Sequence, residues 1–186
     1  MDLLLLPFER GRLLGEGGGD VPLPGADAAR HRGLAPVSLS GVSSEDLASY
    51  FYWLDRSGRL PGARLCTQNE WEYAARGADG RRYPHGDQLQ PDDANIDTTY
   101  DRQPTAFGPD MVGSHPASVS PFGLEDMAGN AFELTRSVTP EFGRVVLRGG
   151  AWYYDDFGAH IANISVGDPT ARDAAIGVRV CASFSP

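Results

Sequence analysis

The chain has 186 residues, 41% hydrophobic and 22% charged, which suits one water-soluble domain with a core of its own. Its formal charge of -9 argues against a nucleic-acid partner, since binding to a phosphate backbone rests on clustered cations. No apolar run approaches the ~20 residues of a membrane-spanning helix, so no membrane partner is expected either.

The N-terminal 1–35 hold a candidate strand from Leu3 to Arg10, followed by Gly15 to Gly19 and a Pro/Gly/Ala-rich stretch that reads as linker. Leu3-Leu4-Leu5-Leu6 has neither a basic leader nor a small-residue cleavage site, so a cytoplasmic location is expected, with surface display or secretion left open. The presence of only Cys66 and Cys181 excludes a disulfide scaffold and adds weight to that expectation; both read as small buried hydrophobes.

The domain proper is expected over 36–186. Ser43-x-x-Asp46 opens a helix in which hydroxyl and carboxylate satisfy orphan amides, with Leu47, Phe51 and Leu54 on one face. Thr67-x-x-Glu70 repeats the device for a second helix, with Trp71, Ala74 and Ala75 buried and Gly77 ending it. Beyond it Gly, Pro, Asn and Asp break the chain into loops and short strands, clearest at Arg144 to Leu147 and Gly177 to Ala182. There is no internal repeat and no coiled coil.

Several blocks stand out in order. They are Arg64-Leu65-Cys66-Thr67-Gln68-Asn69-Glu70-Trp71-Glu72-Tyr73-Ala74-Ala75-Arg76-Gly77, Tyr83-Pro84-His85-Gly86-Asp87, Gly123-Leu124-Glu125-Asp126-Met127-Ala128-Gly129-Asn130-Ala131-Phe132-Glu133, Val146-Leu147-Arg148-Gly149-Gly150-Ala151-Trp152 and Ile176-Gly177-Val178-Arg179-Val180. Together, from Pro36 to Ala182, they resemble the formylglycine-generating enzyme (sulfatase-modifying factor) family. The resemblance implies an α+β chain with a C-type lectin-like fold, two helices plus short antiparallel strands and long loops. The family's usual longer N-terminal part is not found.

The family's oxidases hold copper with a cysteine pair just past the Gly-Gly turn, because Cu(I) needs soft thiolates. Aligned from Gly149-Gly150, those positions are Tyr154 and Ala159, so no copper, no catalytic residue and no enzyme are expected. His31, His85, His115 and His160 stand singly, without the spacing that sets two imidazoles on one helical face, so no iron site is expected. The resemblance also implies a structural calcium loop with side chains of Asp126 and Glu133 and carbonyls of Gly129 and Ala131, since calcium accepts mixed oxygen ligands. The alternative is that both acids are solvent-facing turn residues. A second calcium site would begin at Asn95-Ile96, with Asp97 or Asp101 as its distal acid.

From 153 to 175 the chain lacks Lys, Glu, Gln, Met and Trp, and every residue is reachable from an asparagine codon by changing its two adenines. That is the alphabet of a diversity-generating retroelement's variable region, and many such proteins resemble this fold. Tyr153, Tyr154, Asp155, Asp156, Phe157, Ala159, His160, Ile164, Val166, Asp168, Ala171 and Asp173 are the candidate ligand-binding residues. Aromatics give large, rigid contact area at low entropy cost. The function expected is a non-catalytic recognition domain for a protein or other macromolecular ligand, a retroelement variable protein in its sharpest form. Alternatives are the accessory domain of a bacterial serine/threonine kinase, which the C-terminal half also resembles, and a formylglycine-generating-type oxidase.

Overall fold

The computed structural model describes residues 38–183, together with the backbone of four short N-terminal strands: β1 (Leu3–Leu4), β2 (Phe8–Glu9), β3 (Arg12–Leu14) and β4 (Asp20–Pro22). The strand expected from Leu3 to Arg10 is thus two pieces, and most of the expected linker lies outside the described residues.

Both helices start where their capping chemistry dictates. In α1 (Ser44–Arg56) the Asp46 amide donates to Ser43 Oγ at 3.2 Å, while Asp46 Oδ2 accepts from the Ser43 amide at 3.0 Å. In α2 (Gln68–Arg76) the Glu70 amide donates to Thr67 Oγ1 at 3.2 Å and Glu70 Oε2 accepts from the Thr67 amide at 2.8 Å. Each such cap contributes about 1 kcal/mol. Gly77, with φ 74°, ends α2 in a conformation that side chains resist.

Three sheets follow the orders β1-β10-β5, β2-β3-β4 and β8-β7-β6-β9, with β5 at Ala63–Leu65, β6 at Phe132–Arg136, β7 at Val145–Arg148, β8 at Ser165–Val166, β9 at Ile176–Val178 and β10 at Val180–Ser183. The expected final strand is split at Arg179. β9 pairs in parallel with β6, placing Phe132 opposite Ile176, whereas β10 pairs antiparallel with β5 in a different sheet. β6 was not foreseen. Its Phe132-Glu133-Leu134-Thr135 alternates apolar and polar residues as a strand does, but all four are buried, the polar pair included.

Leu47, Phe51 and Leu54 of α1 pack on Phe132, Leu134, Val145 and Leu147 of β6 and β7. Trp71 centres a second cluster with Met127, Ile161 and the two cysteines. A third, smaller cluster of Tyr83, Ala94, Ile96, Ala128 and Ala159 lies under the loop after the Gly-Gly turn.

The cysteines require a correction. They are buried as expected, at 1% and 0% exposure, but they form a disulfide with Cα atoms 5.0 Å apart across 115 residues of sequence. The pairing of β5 with β10 sets Arg64 opposite Cys181 and so brings Cys66 beside it. Nothing local in the sequence encodes that proximity. A bonded pair also removes the cysteine argument for a cytoplasmic location, since such bonds persist in oxidising compartments. No helix among the described residues is long and apolar enough to cross a membrane.

Candidate functional site

The Gly149-Gly150 turn builds the site. Both glycines have positive φ, 89° and 77°, and a Cβ on Gly150 would lie 2.7 Å from the Ala159 nitrogen. The chain therefore leaves at 150 and returns onto itself at 159, closing a compact excursion between them. Backbone bonds from Tyr154 to Ala151 O (2.9 Å) and Ala159 to Asp156 O (3.1 Å) hold it from within. The Asp97 amide to Tyr154 O (3.0 Å) and the Tyr83 hydroxyl to Asp156 O (3.3 Å) tie it to the body.

With the excursion held in this way, the side chains of 153–157 are exposed. Tyr153, Tyr154 and Phe157 are 61%, 47% and 71% exposed, and Asp155 and Asp156 are exposed beside them. Tyr154 stands partly inward, its ring edge-on to Phe132 at 4.8 Å between centroids. We therefore expect Phe157→Ala to melt cooperatively within about 1 kcal/mol of wild type. Tyr154→Ala should lose about 1–2 kcal/mol, because an aromatic contact goes with the ring. Urea titration of the variants distinguishes the two classes.

Beside this rim lies an open cleft of about 540 Å³ lined by Asp97, Arg102, Phe107, Tyr153, Tyr154 and Asp155. Phe107, Trp152 and Tyr153 contact one another with centroids 5.6 to 5.7 Å apart. Asp97 Oδ2 pairs with Arg102 at 2.8 Å, while Asp97 Oδ1 is buried with no hydrogen-bond partner among the described residues. Sequence reasoning named Asp97 only as a distal calcium ligand and missed Arg102 and Phe107, which no local signal marks.

The remaining candidates do not join this surface. Ala159 is wholly buried against Tyr83 and Ala128, so it is a core residue and not a ligand contact. His160 packs edge-on against Tyr83 with its pKa lowered, by burial first and then by Arg82. Ile164 is half-buried, and Val166 sits in edge strand β8 opposite Val146. Asp168 and Asp173 accept from Thr170 and Ala175 within their own turns, with Ala171 between them. That stretch docks on the start of α1, where the Ser44 hydroxyl donates to Pro169 O and Arg172 pairs with Asp46. The expected single surface is therefore a rim at 153–157 and a separate flank at 165–173.

The expected calcium loop is also organised by protein groups. Asp126 and Glu133 are both buried, not solvent-facing turn acids. Asp126 Oδ2 accepts from the Gly113 amide at 3.1 Å and Asn130 Nδ2 at 3.3 Å, and the Gly129 carbonyl accepts from the Ala131 amide. Both Glu133 oxygens are taken: Arg179 donates to Oε1 at 2.6 Å and Oε2 at 2.9 Å, and Trp71 Nε1 donates to Oε2 at 2.6 Å. Arg179 thus supplies the positive charge that the resemblance assigned to an ion, and Glu133 as placed does not fit the role of a calcium ligand. Among the described residues no group of three or more His, Cys, Asp and Glu side chains is set to hold a metal. Burial, opposed by the Gly113 amide and Arg179, raises the Asp126 pKa.

Comparison with known proteins places this geometry in context. The sequence pattern of the sulfatase-modifying factor enzyme 1-like domain matches residues 18–184. The chain is 34% identical over 118 residues to the inactive C-alpha-formylglycine-generating enzyme 2 of Mus musculus, covering 60% of this chain and 36% of that protein. It is 38% identical over 109 residues to the formylglycine-generating enzyme of Mycobacterium tuberculosis, covering 54% and 32%. Against the serine/threonine-protein kinase pkn1 of Chlamydia pneumoniae it is 35% identical over 105 residues, covering 54% and 14%. The chain therefore spans about a third or less of the length of the curated relatives it matches. Among solved structures, Treponema denticola variable protein 1 superposes with a TM-score of 0.65 at 16% identity, covering 78% of this chain and 71% of that one. PvdO from Pseudomonas aeruginosa gives 0.62 at 20% identity, covering 95% and 70%. The α+β fold with a C-type lectin-like core is shared with these structures, and by its matched pattern the chain belongs to the sulfatase-modifying factor enzyme 1-like family.

Proposed function

We propose that the protein is a non-catalytic recognition domain that presents the rim at 153–157 and its adjoining cleft to a protein or other macromolecular ligand. The observation that carries the proposal is the closed excursion after Gly150: backbone hydrogen bonds hold it within itself and to the body while Tyr153, Asp155, Asp156 and Phe157 face solvent. Loops on a rigid scaffold are where recognition resides, and exposed aromatics supply its anchors. By the resemblance, Tyr154 and Ala159 take the positions of the oxidases' copper-holding cysteines, and neither offers a thiolate; the chain's two cysteines are bonded to each other.

In its sharpest form the protein is a diversity-generating retroelement variable protein. The restricted alphabet of 153–175 supports this, as does the likeness of fold to the Treponema variable protein. Sequencing the encoding locus and its flanks across a population of cells tests it. Variation confined to adenine-derived positions, with a reverse transcriptase and a template repeat nearby, is the expected result; an invariant segment overturns it. The pkn1 relationship supports a second reading, a fixed docking domain of a kinase, which an adjoining kinase gene would favour.

The resemblance gives calcium a structural role only, and we propose that the loop stands without it. Because Arg179 already occupies Glu133, we expect the melting temperature to be unchanged by EGTA or by added calcium, since an ion specific to the native state would raise it. Asp126→Asn should not destabilise at pH 7. A carboxyl whose folded pKa lies above its unfolded value favours folding when protonated, and that contribution is lost as pH rises through the folded value. A calcium-dependent rise in melting temperature that Asp126→Asn abolishes would restore the ion.

A further inference from the structure

Resting on the recognition surface above, we propose that the cleft beside the rim is a subsite for an organic ammonium group, carried by a lysine side chain of a partner or by a free alkylamine. Three observations converge on it.

The cleft is walled by π faces and edges. Phe107 and Tyr153 line it with centroids 5.6 Å apart, Tyr154 adds a third ring 6.1 Å from Tyr153, and Trp152 backs them. The faces of such rings attract cations.

At its base stands a carboxylate only half satisfied. Asp97 is 15% exposed and spends Oδ2 on Arg102, but Oδ1 is buried and unpartnered among the described residues. Oδ1 leaves no room for an incoming donor, so a ligand cation meets this carboxylate at Oδ2, where a charged donor is the strongest partner. The Asp97 amide is fixed on Tyr154 O, so this carboxylate is set in register with the aromatic wall.

The surroundings exclude the opposite charge. Asp155 lines the same cleft and Asp156 adjoins it, on a chain of net charge -9. Arg102, the single cation in the lining, is 64% exposed and lies across Asp97 as an intramolecular occupant that a ligand cation would share or displace. An ammonium entering here donates to Asp97 Oδ2 in place of Arg102, packs beside Phe107 and Tyr153, and leaves its alkyl stem along Tyr154.

The test is calorimetric titration of the whole protein with butylammonium, with 1-pentanol as the neutral analogue of similar length. Saturable binding of the ammonium, with the alcohol weaker by about tenfold or more, is expected from the charge-dependent contacts. Asp97→Asn should lose that binding, whereas Asp79→Asn, an exposed acid outside the cleft with the same change in net charge, should keep it. Tyr153→Ala, at an exposed ring, should weaken binding several-fold without a folding defect. Arg102→Asn should tighten it; Asn tolerates the φ of 56° that this residue adopts. A peptide with one lysine binding more tightly than butylammonium, and losing affinity on lysine acetylation, assigns the source to a protein partner; equal affinity for peptide and amine assigns it to a small molecule. Equal binding of the alcohol, or no loss in Asp97→Asn, overturns the ammonium subsite while leaving the wider recognition surface standing, because that surface is tested at the gene.

Discussion

Reducing the Cys66–Cys181 bond, or replacing both cysteines with alanine, is expected to lower the stability of the fold by about 4–5 kcal/mol. The bond closes a loop with a sequence separation of 115 residues, and in the chain-entropy description a loop of that size restricts the unfolded ensemble by roughly this amount. For a domain of this size each kcal/mol moves the melting temperature by about 2–4 °C, so a fall of roughly 10–20 °C is expected. Calorimetry with and without reductant measures it. Because both sulfurs sit in the Trp71 cluster, the alanine variant should also lose some packing, and its unfolding should remain a single transition. An unchanged melting temperature under reducing conditions would show that the thiols are free in solution.

The second large effect is expected at the Glu133–Arg179 pair. Arg179→Met leaves Glu133 and Asp126 buried without their counter-charge, and breaking a buried pair from one side costs about 3–5 kcal/mol. The loss should depend on pH. Removing Arg179 takes away a group that lowers the Asp126 pKa, so the folded value of Asp126 rises further. A raised folded pKa means that stability is retained while the group is protonated and is lost as pH rises through that value, so the deficit should be large at pH 7 and shrink as the solution is acidified. Urea titrations at several pH values read this directly. The double variant Glu133→Gln, Arg179→Met should be less destabilised than the two single losses summed, because neither residue then leaves an unpaired charge behind.

How much of this was legible in the sequence depended on how local the cause was. The two helix starts are set by contacts three residues apart, Ser43 with Asp46 and Thr67 with Glu70, so the sequence carries them whole. The fold followed from the spacing of several blocks, and Gly149-Gly150 located the excursion because glycine alone fits backbone packed that closely on Ala159. β6 was passed over because its short Phe132-Glu133-Leu134-Thr135 alternation begins inside the loop motif that runs to Glu133, and the cysteine bond because the strands that join its ends are far apart in sequence. Within 153–175 the restricted alphabet marked the segment but not the direction of each side chain. Ala159 points into the core and Tyr153 away from it, and nothing in their codon chemistry separates them. The cleft escaped for the same reason as the bond: Asp97, Arg102 and Phe107 meet Tyr153 only through the tertiary fold.

β9 and β10 are neighbours in the chain yet complete two different sheets, β9 against β6 and β10 against β5. Every partner they need precedes them in sequence, so during synthesis the helices and the first strands emerge long before either sheet can close. Topologies that wait on distant pairings fold slowly and leave apolar surface uncovered in the interval. Cys181 arrives in that same stretch, 115 residues after its partner, so the covalent link ties the late-arriving β10 back to β5 and holds together the pairing that the chain makes last among its described strands.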